Sequence, residues 1–204
     1  MYVFLNFLGL IVNAILNYIQ LEEIKSKTKV KILILELTSI LLGSKILDFI
    51  INYKFYDIYL WEDALKKGYM FYGGILLAII LIYLYCKIEE INTKYVLNIL
   101  IPNILVTYGI CKIGCFFNGC CVGINDIPIQ IIECIICLSF YVFLKISKTE
   151  KIVAYCCILF GIIRILDFAL RKEIIASNLV VNELISSIIF MVGVVGIIIT
   201  RKMK

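Results

Sequence analysis

No histidine occurs anywhere in the 204 residues. An imidazole base or ligand is therefore ruled out, and proton transfer would have to fall to carboxylates, tyrosines or cysteines. Charge is scarce as well: charged residues make up 17% of the chain against 63% hydrophobic ones, with a mean hydropathy of +1.03. A soluble domain of this length could not hide so much apolar surface. The chain reads as an integral membrane protein built mostly of spanning helix, because backbone in lipid must satisfy its hydrogen bonds internally. The first apolar run has no basic residue ahead of it and no small-residue cleavage site after it, so a retained helix is expected there. No internal repeat and no soluble extension is visible, and a single transmembrane domain over residues 1–204 is expected. The net charge of +5 rests on lysines in short connecting loops. That pattern suits anionic headgroups and topology, and no nucleic acid partner is expected.

What is there divides into seven apolar segments of roughly the length needed to cross a bilayer. They run over residues 2–19, 32–53, 69–86, 95–110, 127–144, 152–170 and 179–200. The expected fold class is all-α, a polytopic membrane protein with seven transmembrane helices. Pro102 is expected to kink the fourth span. The connection from Lys54 to Gly68, with Trp61 and neighbouring aromatics, suits a membrane interface. Twelve basic residues follow the odd-numbered spans (Lys25, Lys27, Lys29, Lys31, Lys87, Lys94, Lys145, Lys148, Lys151, Arg201, Lys202 and Lys204). Six follow the even-numbered ones (Lys54, Lys66, Lys67, Lys112, Arg171 and Lys172). This bias predicts the N-terminus outside and the C-terminus in the cytoplasm.

With that orientation the ionisable residues inside the spans fall mostly at the outer leaflet. Asp48, Lys112, Glu133, Arg164, Asp167, Arg171 and Glu183 are placed there, together with Tyr72; Glu36 lies toward the inner side and Lys45 near the middle. Such residues are costly in lipid and usually functional, although buried ion pairs that fix helix packing would look the same. Arg164, Asp167 and Arg171 are spaced i, i+3, i+7 and share one helical face. Two guanidinium forks and an orienting carboxylate at headgroup depth suit a phosphate; Arg171 with Lys172 could equally be a snorkelling helix-end anchor. The stretch from Gly109 to Gly123, GICKIGCFFNGCCVG, is unlike plain spanning sequence. It is expected to form a glycine- and cysteine-rich loop at the outer face and the centre of the working site.

These residues carry a resemblance. From Cys111, CKIGCFFNGCCVG resembles the signature G-R-x-G-N-F-x-N-G-E-x-x-G of the prolipoprotein diacylglyceryl transferase family, keeping Gly114, Phe116, Asn118, Gly119 and Gly123. The family's P-x-Q-x-x-E is matched by Pro128, Gln130 and Glu133. Its arginine-bearing helix resembles FGIIRILDFALR, with Phe160, Gly161, Arg164, Asp167 and Arg171. Its H-G-G-L resembles YGGI from Tyr72 to Ile75, and Tyr2 stands near the place of the family's tyrosine in the first helix.

The resemblance implies a multi-pass enzyme of the bacterial plasma (inner) membrane that acts in lipoprotein maturation. It would move the diacylglyceryl group of phosphatidylglycerol to the lipobox cysteine thiol of a prolipoprotein signal peptide and release glycerol phosphate. It implies catalytic roles for Tyr72, Lys112, Glu133 and Arg164. It implies substrate-binding roles for Tyr2, Gly73, Gly74, Gly114, Asn118, Gly119, Gly123, Asp167 and Arg171, with no cofactor and no metal. The departures are chemical. Lys112 stands for an arginine, Cys115 for an asparagine, Cys120 for a glutamate and Tyr72 for a histidine. Lysine keeps the charge but loses the bidentate fork, and tyrosine with an ordinary pKa near ~10 is a poor base at neutral pH.

Two other readings stay open at this level. The lost histidine and arginine suit a non-catalytic or re-purposed lipid-binding or transport paralogue. The nine cysteines, several in adjacent pairs, suit a membrane thiol-disulfide oxidoreductase or a metal site. Against a metal stand the missing histidine and the lack of a regular C-x-x-C repeat. Cysteine can also be simply a small apolar residue between helices.

Overall fold

A computed structural model describes residues 1–52, 70–147, 149, 151–171 and 177–202, without the side chains of 52, 177–182 and 200–202. Among the described residues the chain forms seven α-helices and no strand. They are α1 (Tyr2–Gln20), α2 (Ser26–Asn52), α3 (Phe71–Ile88), α4 (Thr93–Phe117), α5 (Ile129–Ser147), α6 (Ile152–Leu170) and α7 (Ser177–Lys202), with a short 3-10 turn at Ile124–Asp126. Five of them, α1, α3, α4, α5 and α6, are long and apolar enough to cross a membrane. The apolar part of α7, Glu183–Ile199, is shorter, and α2 carries Glu36, Lys45 and Asp48 along its apolar run. The expected interfacial connection around Trp61 lies outside the described residues.

One expectation needs correction. The fourth helix does not stop near Ile110 but continues to Phe117. Residues 109–117 are therefore helix, and the irregular part begins only at Asn118. Glycine at 109 and 114 had suggested a break. In α4, however, Gly109 packs against Cys134 of α5, and Gly114 lies under Tyr2 and Leu5 of α1. Both are contact positions inside a continuous helix. The helix also runs through Pro102, which is buried within it.

The chain divides into two compact units. Residues 21–95 hold α2 and α3. These helices cross backbone to backbone at glycines: a Cβ on Gly43 would collide with the carbonyl of Gly73, and one on Gly73 with the carbonyl of Gly43. A Cβ on Gly74 would come within 2.6 Å of the Ile40 carbonyl oxygen. Where lipid is as apolar as any side chain, close backbone approach and its dispersion energy hold helices together. The face of α2 that turns inward (Ile32, Glu36, Ser39 and Gly43) follows the helical period. Lys31 and Glu89 close an exposed ion pair of 3.7 Å at the other end of this unit.

Residues 1–20 and 96–204 hold the second unit, with α4 as its most enclosed helix, buried at intervals from Val96 to Gly114. Helix α1 lies on it along Gly9, Asn13 and Asn17, one face at a four-residue spacing. The Thr107 hydroxyl donates to the Gly9 carbonyl at 3.3 Å. Asn103 donates to Asn17 at 2.6 Å and to Gln20 at 3.3 Å. Gln20 in turn donates to Tyr141 at 3.1 Å and accepts from Lys145, both on α5. Helices α6 and α7 meet at small residues: a Cβ on Gly161 would stand 2.6 Å from the Phe190 Cβ, and one on Gly193 would stand 2.8 Å from the Ala154 carbonyl.

Replacing glycine by alanine inside a helix ordinarily stabilises it. At Gly73 the opposite sign is expected, because the added carbon has no room. Gly73→Ala should lower the thermal midpoint of the detergent-solubilised protein, and Gly73→Val should lower it further, by an amount corresponding to about 1–3 kcal/mol. An unchanged or raised midpoint in a thermal-shift measurement would remove the backbone-contact account of this crossing.

Candidate functional site

The site grows from the end of α4 and takes in the starts and ends of its neighbours. Tyr108 and Lys112 are one turn apart and share a face, and both are buried. Lys112 forms an ion pair with Glu133 of α5, with side chains only 6% and 4% exposed, so neither charge has water to lean on. Its ammonium also lies 5.2 Å from the centre of the Tyr108 ring. The Tyr108 hydroxyl donates to Glu133 Oε1 at 2.9 Å and accepts from Arg164 Nη1 at 3.3 Å. Phe160 packs edge-on against the Tyr108 ring with centroids 5.1 Å apart.

Arg164 Nη1 is 3.0 Å from Asp167 Oδ2, and Arg171 Nη2 reaches the same oxygen at 3.1 Å. The i, i+3, i+7 spacing thus produces a carboxylate hub between two guanidiniums. Tyr108 joins the two halves of the network, Lys112–Glu133 and Arg164–Asp167–Arg171. Five charges, three positive and two negative, stand on α4, α5 and α6 with a net charge of +1. Glu183 of α7 lies within electrostatic reach of Arg164 and Asp167.

The turn after α4 is shaped by its cap. The amide of Gly119 donates to the Phe116 carbonyl and that of Cys120 to the Cys115 carbonyl, both at 3.1 Å. Gly119 has φ +65°, the left-handed conformation this closure needs. Such a cap brings the side chain three positions from the helix end against the one just past the turn, here Cys115 and Cys120. Cys121 follows, itself at φ 62°. The sulfurs of Cys115, Cys120 and Cys121 all lie within 4.8 Å of one another. A hydrogen bond from Cys115 pushes the Cys121 thiol down to about 5; burial opposes this, and Arg171 and Lys112 add to it. Beyond the turn, Gly123 forms an antiparallel bridge with Arg171, and its amide donates to the Ile127 carbonyl at 3.1 Å. A Cβ there would stand 2.6 Å from the Ile129 side chain. Gln130 donates to the Cys120 carbonyl at 2.6 Å.

Of the residues singled out in the sequence, Lys112, Glu133, Arg164, Asp167 and Arg171 thus form one network. Gly119 and Gly123 frame the turn beside it. Tyr2 lies over Gly114. Asn118 is exposed at the end of α4. Tyr72, Gly73 and Gly74 belong to the other unit, where Tyr72 is buried and the two glycines serve the crossing with α2. Sequence reasoning missed Tyr108, although a tyrosine one turn before a buried lysine was a usable signal. It also missed the Asn13, Asn17 and Asn103 set, whose i, i+4 spacing in an otherwise apolar helix marks a polar seam.

A helical membrane protein with a buried arginine, lysine and carboxylate cluster against a glycine-shaped turn is a restricted class. The family model described as prolipoprotein diacylglyceryl transferase matches residues 1–199, and the chain belongs to that family. Relatives named phosphatidylglycerol–prolipoprotein diacylglyceryl transferase include one from Clostridium tetani, 35% identical over 86 residues, which are 41% of this chain and 34% of that protein. One from Dehalococcoides mccartyi is 29% identical over 101 residues, 50% of this chain and 39% of that protein. One from Finegoldia magna is 27% identical over 198 residues, 86% of this chain and 80% of that protein. The chain therefore spans little more than a third of the length of the first two relatives.

The Lys112–Glu133 pair makes a direct test of how the network is held. Removing one partner of a buried pair strands the other charge. Lys112→Met alone is expected to cost about 3–5 kcal/mol, and Lys112→Met combined with Glu133→Gln clearly less. Unfolding of Lys112→Met, Glu133→Gln and the double variant in detergent reads this; a double variant as unstable as the sum of the singles would contradict it.

Proposed function

We propose that this protein transfers the diacylglyceryl group of phosphatidylglycerol to the lipobox cysteine thiol of a prolipoprotein, at the outer leaflet of the bacterial inner membrane. The observation that carries this reading is the network of Lys112, Arg164 and Arg171 with Glu133 and Asp167, in a chain of this family. The proposed architecture is one membrane domain of seven spanning helices, with the N-terminus outside and the C-terminus in the cytoplasm.

The chemistry is a displacement at carbon. A thiolate sulfur attacks the glyceryl carbon that bears the phosphodiester oxygen, a C–S bond forms, and the C–O bond breaks with its electron pair going to glycerol phosphate. The group leaves as an anion, so preorganised cations at the phosphate lower the barrier. Arg164 and Arg171 are proposed to bind its oxygens while Asp167 holds the forks in place, with Lys112 adding charge from α4. Glu133 or Asp167 would take the thiol proton. Asn118 and the backbone of the Gly119–Gly123 turn, where glycine lets the chain come close, would contact glycerol and phosphoryl oxygens. Tyr2 and Gly114 would border the headgroup.

A second reading is favoured by one observation: each cation of the network already has an acidic partner, as in a structural cluster. A lipid-binding paralogue without turnover would keep such pairs. Purified protein given phosphatidylglycerol and a lipobox peptide should release glycerol phosphate and add mass to the peptide. Arg164→Ala should insert normally and lose at least ~100-fold in kcat/KM, the scale of one lost transition-state donor. Wild-type rates in that variant would sink the assignment, and headgroup binding without release would favour the paralogue.

A further inference from the structure

We propose that Cys115, Cys120 and Cys121 form a three-thiolate site for a zinc-type cation whose fourth position receives the acceptor thiol. The second half of this rests on the function proposed above; the first half does not.

The three sulfurs come from two stretches of chain, the end of α4 and the turn after it, that the fold has to bring together. The left-handed Gly119 closes α4 and sets Cys120 over Cys115. A second left-handed residue, Cys121 at φ 62°, turns the next thiol back to the same point. A non-glycine residue in that region is uncommon and marks a strained or specified position. The result is three sulfurs within 4.8 Å of one another. Zinc–sulfur bonds of ~2.3 Å at tetrahedral angles put ligand sulfurs roughly 3.8 Å apart, so closing on a cation needs shifts of about an ångström or less. None of the three cysteines is fully buried, which leaves a path for an incoming ligand.

Charge also fits. Three thiolates around a divalent cation carry −1, and the neighbouring network of Lys112, Arg164, Arg171, Glu133 and Asp167 carries +1. Lys112 is one turn before Cys115, and Arg171 is bridged to Gly123, two residues past Cys121. Cys115 and Cys120 stand where the family signature has asparagine and glutamate, so the cluster is a property of this chain and not of the motif.

Three protein ligands with one open position is the arrangement of catalytic zinc, whereas structural sites are closed by four. A thiol that takes the open position is deprotonated on binding. The lipobox thiol would pass its proton to Glu133 or Asp167, the acceptors proposed above, and lie as a thiolate beside the arginines that hold the phosphate. Its sulfur then forms the C–S bond as the C–O bond breaks to glycerol phosphate, and the thioether product, a weaker donor, departs. In a chain without histidine this would supply the nucleophile without a base of matched pKa.

The test uses the full-length protein in detergent, reduced and then loaded with zinc or with cobalt(II) as a spectroscopic stand-in. One zinc per chain is expected by elemental analysis. With cobalt, thiolate charge-transfer absorption and tetrahedral d–d bands are expected. Both should be lost in Cys115→Ser, Cys120→Ser and Cys121→Ser and kept in Cys156→Ser, a buried cysteine of α6 outside the cluster. Circular dichroism separates ligand loss from misfolding. No stoichiometric metal, a spectrum indifferent to the three substitutions, or a disulfide among the three cysteines under the same conditions overturns the site. A lipobox peptide should shift the cobalt bands while its Cys→Ser counterpart does not. Unshifted bands, or full transfer by protein stripped of metal, overturn thiol activation while leaving the transfer reading intact. Stoichiometric thiolate-bound cobalt without any transfer to peptide would mark the opposite failure.

Discussion

Two carboxylates, Glu133 and Asp167, hold the polar end of the larger unit together. Without them, Lys112, Arg164 and Arg171 would be three cations with little water, at a cost no apolar packing in lipid repays. Glu133 ties α5 to α4, and Asp167 fixes Arg164 of α6 and Arg171 just past its end at one oxygen. Tyr108 donates to the first carboxylate and accepts from one arginine of the second group, so the two halves are a single network. The cationic excess of this network is also what makes it suited to an anionic headgroup, so stability and proposed function draw on the same residues.

In each of the two units, other helix contacts are made by small residues and sparse polar bonds. Gly43 with Gly73, and Gly161 with Phe190, bring backbones close. The Asn17–Asn103–Gln20 rung, extended to Tyr141 and Lys145, links α1, α4 and α5 at the far end of the same unit. Interhelical bonds of this kind are each worth roughly 0.6 kcal/mol on average in a membrane protein. Their larger effect is on register, since sliding α1 by one residue would unpair Asn17 and move Gly9 off Thr107.

The all-helical fold was legible because apolar runs of bilayer length leave few alternatives. The boundaries of α6 agree with the reading residue for residue. The end of α4 was not legible, because Gly109 and Gly114 are points of helix contact that only a neighbour's position explains. The arginine–aspartate trio was visible from spacing alone. Its link to Lys112 and Glu133 was not, because Tyr108 looks like one more apolar-run aromatic until its hydroxyl is placed. The cysteine cluster was equally hidden. Spacing offered no repeat of the usual metal-binding kind, and only the handedness of Gly119 and Cys121 folds positions 115, 120 and 121 onto one point.

Arg171 is held twice, by its guanidinium on Asp167 and by its backbone on Gly123. It therefore works as a crank between a charge and a loop. A ligand that draws the guanidinium outward also pulls on the strand-like pairing with Gly123, and through it on the two cysteines just before. The ion pair on Asp167 and the posture of the thiol turn are in this way coupled through one residue.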